Sequence, residues 1–468
     1  MEVDTLRQAF DRQHAASRRD AAPGVADRRA SLATLYALVQ ENAGEIAQAI
    51  AADFGGRTPR ESQILEIIPT LNAIRHCRKW VGRWMRPEQR AIDWLFQPSR
   101  AWVRYEPLGV VGILSPWNFP LFLSLVPLAN VLSAGNRALL KPSELTPAFA
   151  ELLARLVADR FAPEQVAVMT GGVDIARAFS SLPFDHLLFT GSTAVGREVM
   201  RAAAENLTPV TLELGGKSPA VIGADFPLAR AARSIAFGKW LNAGQTCVAP
   251  DYVLVPAAKA AAFADAVIAE ARRAYPSIEH DDYTSVITER HRNRLNTALA
   301  EAEAAGAVIV RHGGDGAAGT VSRKVPPTVV LNAPPSGLLM QEEIFGPVLP
   351  VVPYERLEDA LAFINARGRP LALYCFTNDQ QIRARILDGA TSGGVMLNGT
   401  LLHVAQDNLP FGGIGPSGMG AYHGRDGFLR FTHARAVHAA GPVNFLERLG
   451  PPWGPLAARA AGFLLRRR

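Results

Sequence analysis

A thiol in a loop, a carboxylate in an apolar run and an amide between prolines are the three side chains of this sequence best placed to do chemistry. Cys247 lies in "LNAGQTCVAPDYVLV", between a Gly-Gln-Thr run and a segment that reads as a strand. A thiol reacts as its thiolate, and an unperturbed cysteine is only a few per cent ionised at neutral pH, so Cys247 would need help from its surroundings. A helix ending near residues 242–244 would put it on a loop carried by rigid elements, where reactive groups tend to sit. An inert spacer weighs equally at this point. Cys77 and Cys375 fall in a helical and a strand pattern and read as core cysteines.

Glu213, in "VTLELGGKSP", stands in an otherwise apolar run before two glycines. Burial there would raise its pKa toward the range of a general base; the plainer alternative is an ion pair, for example with Lys217. Asn118 sits in "SPWNFP", a proline-stiffened loop inside the most apolar part of the chain. Its amide could cap a turn or donate to a developing oxyanion, a contact worth about a hundred- to thousand-fold in rate. The segment "FTGSTAVG" reads as strand, glycine turn and helix start, so the backbone amides of 191–193 could meet a phosphate, although the spacing is not G-x-G-x-x-G.

The elements that must position these groups follow from pattern. The first hundred residues are mostly helical by period, with "LATLYALVQENAGEIAQAIAADF" as one amphipathic run ended by Gly55 and Gly56. From Val110 short β-branched runs alternate with helical stretches: "VVGILS", "RALLKPS", "QVAVMTG", "HLLFTGS", "PVTLELGG" and "SPAVIG". A second such set runs through "YVLVP", "AVIVRHG", "TVVLN", "LALYCFT" and "GGVMLN". That rhythm predicts right-handed βαβ units and two α/β domains with parallel sheets.

Composition narrows the partners. A chain of 468 residues exceeds one core and predicts two or three domains. The net charge of +6 is the small remainder of 49 basic and 43 acidic side chains, with no basic block interleaved with aromatics, so nucleic acid is not expected. The cysteines number three, lie far apart and lack metal-ligand spacing, which suits a reducing compartment and indicates no metal. The charged N-terminus without an apolar h-region makes the cytoplasm the default. Residues 108–136 carry no charge and could span a bilayer, but Pro116, Pro120 and Pro127 favour a buried strand at 110–115, a loop at 116–120 and a short core helix. The ending "PPWGPLAARAAGFLLRRR" reads as a solvated or docked basic helix in preference to a membrane contact.

The set "SPWNFP", "LLKPSE", "FTGST", "LELGGKSP", "GQTC" and "EEIFGPV", in this order, resembles the aldehyde dehydrogenase superfamily over nearly the whole chain. The 34 residues from Glu213 to Cys247 also match that family's general base and nucleophile. The segments "RPLALYCFT", "LLHVAQDNLPFGGIGPSGMGAYHG" and "FLRFTHAR" are similar to its class 3 branch; "FDRQ", "ADFGGR" and "LLHVAQD" are most similar to coniferyl aldehyde dehydrogenases. The resemblance implies Cys247 as nucleophile through a thiohemiacetal and a thioester, Asn118 with the Cys247 amide as oxyanion hole, and Glu213 as activator of water. It implies Lys141 and Glu144 at the adenosine ribose, Gly191 and Ser192 at the pyrophosphate, and Glu343 with Phe345 at the nicotinamide ribose. NAD is the first choice, since a carboxylate at Glu144 disfavours a 2′-phosphate without barring NADP.

The implied architecture is a Rossmann-like cofactor domain (1–85 and 105–211), a second α/β catalytic domain (212–400), a bridging and oligomerisation element (86–104 and 401–435) and a C-terminal extension (436–468), assembled as a homodimer. The substrate expected is an aromatic aldehyde of the coniferyl type, with a long-chain aliphatic aldehyde second; a CoA-acylating enzyme or a non-catalytic protein of the same fold ranks lower because Cys247, Glu213 and Asn118 are all present. One departure stands out: the branch usually has an aspartate where this chain has Gly399.

Overall fold

Runs of β-branched residues that are apolar on both faces can form strands only inside a sheet covered on both sides, and two such sheets organise the molecule. The computed structural model describes residues 2–313 and 323–466. The first sheet has the order Val166–Val168, Arg137–Lys141, Val110–Leu114, His186–Gly191, Val210–Leu214, Gly418–Met419. Its first five strands are parallel, and the short last one runs antiparallel with Gly418 opposite Glu213. Because the chain leaves Val110–Leu114 first to one side and then to the other, strand order reverses between Val110–Leu114 and His186–Gly191. Such a switch point opens a crevice at the carboxyl ends of the strands, where ligands bind in open α/β sheets.

The uncharged stretch after Val110 folds as expected for an interior segment. The strand Val110–Leu114 is buried throughout, and the helix Pro120–Ala134 is buried along nearly its whole length. Pro120 at its start loses an N–H that would lack a helical partner anyway, and Gly135, at φ 87°, ends it in the left-handed region.

The second sheet has the order Val308–Arg311, Thr328–Leu331, Val348–Tyr354, Tyr252–Pro256, Pro219–Ile222, Ala372–Phe376, Gly394–Leu397, parallel except for its first pair. A third sheet joins Glu88–Arg90, Arg100–Pro107 and Thr432–Ala439, all antiparallel, so that it ties the segment after the N-terminal helices to the far end of the chain.

The amphipathic run expected as one helix is two, Val25–Glu41 and Ala43–Phe54. Asn42 interrupts it: its side-chain amide donates to the Leu38 carbonyl at 2.8 Å, offering the backbone an alternative to the next helical bond. Gly55, at φ 65°, caps the second helix. The chain then passes through a short helix, Pro59–Ser62, and a π-helical turn, Gln63–Ile67, before the long helix Ile68–Trp84. The terminal helix Pro455–Arg466 has no buried residue, and Leu465 is 87% exposed; the last two arginines of the basic ending lie outside the described residues. Among the described residues no helix is long and apolar enough to cross a membrane.

Candidate active site

The loops leaving the switch point build one wall of a cavity of about 460 Å³: Trp117 and Asn118 after the strand Val110–Leu114, Gly191 to Thr193 at the end of His186–Gly191, Glu213 and Gly215 at the end of Val210–Leu214. Segments that connect strands of the second sheet supply the facing wall with Cys247, His291, Arg294, Glu343 and Phe345. Seven of the nine residues expected at the site, Cys247, Glu213, Asn118, Gly191, Ser192, Glu343 and Phe345, therefore meet in one space. Lys141 and Glu144 do not line it. They form an ion pair with each other (3.1 Å) at the end of the neighbouring strand, where the Lys141 carbonyl accepts from the Ser115 amide at 3.2 Å.

The turn that carries Cys247 is strained and heavily pinned. After the helix Leu228–Trp240, Asn242 and Ala243 both adopt φ 49°, uncommon for residues with a side chain. Gly244 follows at φ 72°, and a Cβ there would meet the Gly346 carbonyl oxygen at 2.3 Å, so only glycine fits. The Gln245 side chain donates to the carbonyls of Asn242 (3.0 Å) and Ser285 (3.1 Å) and accepts from the Ile287 amide (2.9 Å). What results is a half-buried thiol on a rigid loop at the cavity. Burial, then the charges of Glu343 and Glu213, push that thiol up to about 12. Burial does the same to Cys77, also about 12, so the thiol's acidity at rest does not set Cys247 apart; its place on a cavity beside two carboxyl groups does.

Glu213 is 2% exposed, and neither of its carboxyl oxygens has a hydrogen-bond partner among the described residues. Burial raises its pKa well above the usual carboxyl range, against a smaller opposing pull from Arg430. The ion pair with Lys217 considered as an alternative does not form: Lys217 binds the Asp251 carboxylate and donates to the carbonyls of Leu339 (2.7 Å) and Glu342 (3.0 Å). Asn118 is buried, and its amide donates one N–H to the Gln245 carbonyl at 3.1 Å, two residues before Cys247. Its own carbonyl accepts from Asn242 (3.1 Å) and Arg57 (3.2 Å).

Ser192 caps the helix Thr193–Ala204, so the first amides of that helix lie at the cavity wall. Burial, then Asp251, pushes the Glu343 carboxyl up to about 8; the Gly216 amide, Lys217 and Arg294 oppose them. That carboxyl lies where a Cβ on Gly215 would be 2.0 Å away, so glycine is what admits it. The turn holding Glu343 and Phe345 is anchored from both sides, with the Ile344 amide donating to Asp251 (3.0 Å) and Arg294 donating to the Glu343 carbonyl (3.1 Å). Trp117 meets both Phe345 and His291 edge to face, with ring centroids 5.4 and 5.3 Å apart.

His291 and Arg294 are absent from the sequence-based set. Both lie on the helix Glu289–Ala304, whose buried stripe Leu295, Ala298, Leu299, Ala302 keeps the i, i+3, i+4, i+7 spacing of a packed helix. That spacing was a usable signal, hidden by the density of charge around it.

The aldehyde dehydrogenase family profile matches residues 2–437. A probable coniferyl aldehyde dehydrogenase of Pseudomonas aeruginosa is 50% identical over 97% of this chain and 94% of its own. Among solved structures, AldH of Staphylococcus aureus in a substrate-bound state superposes with a TM-score of 0.92 at 35% identity, covering 98% of this chain and 99% of that one. The NAD+ complex of an aldehyde dehydrogenase from Bacillus cereus gives a TM-score of 0.85 at 26% identity, over 94% of this chain and 89% of that one.

Proposed function

The chain belongs to the aldehyde dehydrogenase family, and from that premise we propose that it oxidises an aromatic aldehyde of the coniferyl type to its carboxylic acid with NAD, through a covalent intermediate on Cys247. The observation that carries this reading is the meeting, in one space, of a cavity-lining thiol, a buried amide and a buried carboxyl with no hydrogen-bond partner among the described residues.

The chain's own groups divide the work by chemistry. The Cys247 sulfur attacks the carbonyl carbon, and the oxygen that takes up charge meets the second N–H of the Asn118 amide and the Cys247 backbone amide. The thiol is held protonated by its burial, so its proton must leave as attack begins, and Glu343 is a cavity carboxyl group left to take it. When bound, a nicotinamide supplies the acceptor for the aldehyde hydrogen and its electron pair. Glu213 then serves the thioester stage, taking a proton from water as the water oxygen bonds to the acyl carbon and the carbon–sulfur bond breaks. Burial raises its pKa above the usual carboxyl range, the direction expected of a general base.

The residues present suit a dinucleotide. A helix N-terminus at Ser192 favours a pyrophosphate, the Glu343 carboxyl suits a ribose hydroxyl, and the paired Lys141 and Glu144 suit the other ribose. Glu144 makes NAD the preferred form over NADP, and the Bacillus cereus relative's NAD+ complex supports it. We assign cofactor binding to 1–85 and 105–211, catalysis to 212–400 and homodimer contact to 86–104 and 401–435, with a reducing, cytoplasmic setting supported by the three unpaired cysteines.

The aromatic substrate rests on the likeness to the Pseudomonas aeruginosa relative and on the aromatic side chains of Trp117 and Phe411 in the cavity wall. The test is initial NADH formation from coniferaldehyde, benzaldehyde and a long-chain alkanal, with Cys247→Ala as blank and NADP as the second cofactor. The highest kcat/KM for the aromatic aldehydes, with a dead variant, is expected. A higher value for the alkanal would overturn the substrate, and activity in the variant would overturn the nucleophile.

A further inference from the structure

The geometry points to Arg57 as a positioning residue for this reaction: from outside the cavity it locks the Asn118 peptide to the Cys247 turn, so that the amide is aimed before a substrate arrives. The inference rests on the oxyanion role of Asn118 proposed above. Arg57 is 2% exposed, with its guanidinium between the rings of Phe54 (5.0 Å) and Phe119 (5.2 Å). Its Nη1 donates to the Asn118 carbonyl at 3.2 Å and lies 3.0 Å from Glu66 Oε1; its Nε lies 3.8 Å from Glu61.

The two acids extend the grip to both loops of the site. Glu66 Oε2 accepts from the amides of Leu121 (2.9 Å) and Phe122 (3.3 Å), which begin the helix directly after Asn118. Glu61 accepts from the Asn242 amide at 2.6 Å and from the Thr284 hydroxyl. Asn242 in turn donates to the Asn118 and Gln245 carbonyls at 3.1 and 3.2 Å. One buried cluster thus holds 118–122 and 242–245 together.

The π-helical turn Gln63–Ile67 explains how both acids reach one guanidinium. Residues five apart on an α-helix point about 140° away from each other at 3.6 residues per turn; a turn closed from i to i+5 brings them to the same side. Stability alone does not call for such a cluster, because apolar residues of similar volume often serve as well as buried ions. Directional hold on a peptide group does.

A double-mutant cycle between Arg57 and Asn118 tests this. The readout is the burst of nitrophenolate released from 4-nitrophenyl acetate, in which the same thiol forms an acyl-enzyme without a dinucleotide. Arg57→Lys should slow the burst about 10- to 100-fold, and Asn118→Ala about 100- to 1,000-fold. The double variant should be no slower than Asn118→Ala within about a factor of two, because the side-chain amide through which Arg57 acts is already gone. Iodoacetamide alkylation of Cys247, which develops no oxyanion, should keep its rate in Arg57→Lys. Equal loss from Arg57→Lys in both backgrounds, an unchanged burst in Arg57→Lys, or a parallel fall in alkylation would overturn the inference. An unchanged burst in Asn118→Ala would instead overturn the oxyanion assignment itself. If Arg57→Lys lacks a cooperative melt, the same cycle with Glu66→Gln decides, with the same non-additivity expected and additivity overturning.

Discussion

Glu66 and Glu213 are both buried glutamates beside the same cavity loops, and the fold treats them in opposite ways. Glu66 faces the Arg57 guanidinium and accepts two backbone amides, contacts that hold its pKa to about 7 against the upward push of burial. Glu213 accepts nothing among the described residues, and burial lifts its pKa well above the usual range with only Arg430 opposing. A buried carboxyl that faces a guanidinium and accepts two backbone amides holds backbone in place. One left unoccupied on a cavity is costly to keep and available to a reactant, so the difference separates the scaffold from the chemistry.

The sharpest way to break the comparison is to remove each charge in turn. Glu213→Gln should cut steady-state aldehyde oxidation by about 100- to 10,000-fold, the range for loss of a general base, without lowering the melting temperature. Loss of stability with activity kept would make Glu213 a second scaffold group. Glu66→Ala should show first in stability, destabilising the fold by about 3–5 kcal/mol in urea unfolding because it strands the Arg57 charge. An unchanged midpoint would mean the ion cluster is not holding the loops.

Protonation sharpens the same contrast with smaller effects. Folded Glu66 keeps its proton up to about 7, against an ordinary value of 4.5, so the native state binds protons that the unfolded chain has released. Its contribution therefore makes stability fall as pH rises through that window, and Glu66→Gln should flatten the fall between about pH 4.5 and 7. For Glu213 the same raised pKa appears in the rate: turnover should climb with pH above the ordinary carboxyl range, and that limb should vanish in Glu213→Gln, as pH profiles of kcat would show. Smallest is the thiol contrast. Iodoacetamide should alkylate Cys247 before Cys77 and Cys375, both of them fully enclosed, and equal rates would remove the distinction between cavity and core.

Cys247, Glu213 and Asn118 were legible because each is chemically out of place in its neighbourhood, a thiol after a glycine turn, an acid in an apolar strand, an amide between prolines. Arg57, Glu61 and Glu66 were not, since "GRTPRESQILE" reads as charged surface and only tertiary packing buries it. The parallel sheets followed from the β-branched rhythm. The strand Val348–Tyr354 escaped it because Pro350 and Pro353 argue against a strand interior, yet it pairs on both sides within the second sheet. Asn42 broke a helix that periodicity ran straight through, because a side-chain bond to a carbonyl leaves no mark on the apolar spacing.

The most direct measurement is mass spectrometry of Glu213→Gln mixed with coniferaldehyde and NAD, followed by digestion. With acylation intact and hydrolysis stalled, the peptide carrying Cys247 should gain one acyl group and the peptides carrying Cys77 and Cys375 none. Aldehyde oxidation by the unaltered chain with no adduct on Cys247 in the variant would contradict the division of labour between thiol and carboxylate.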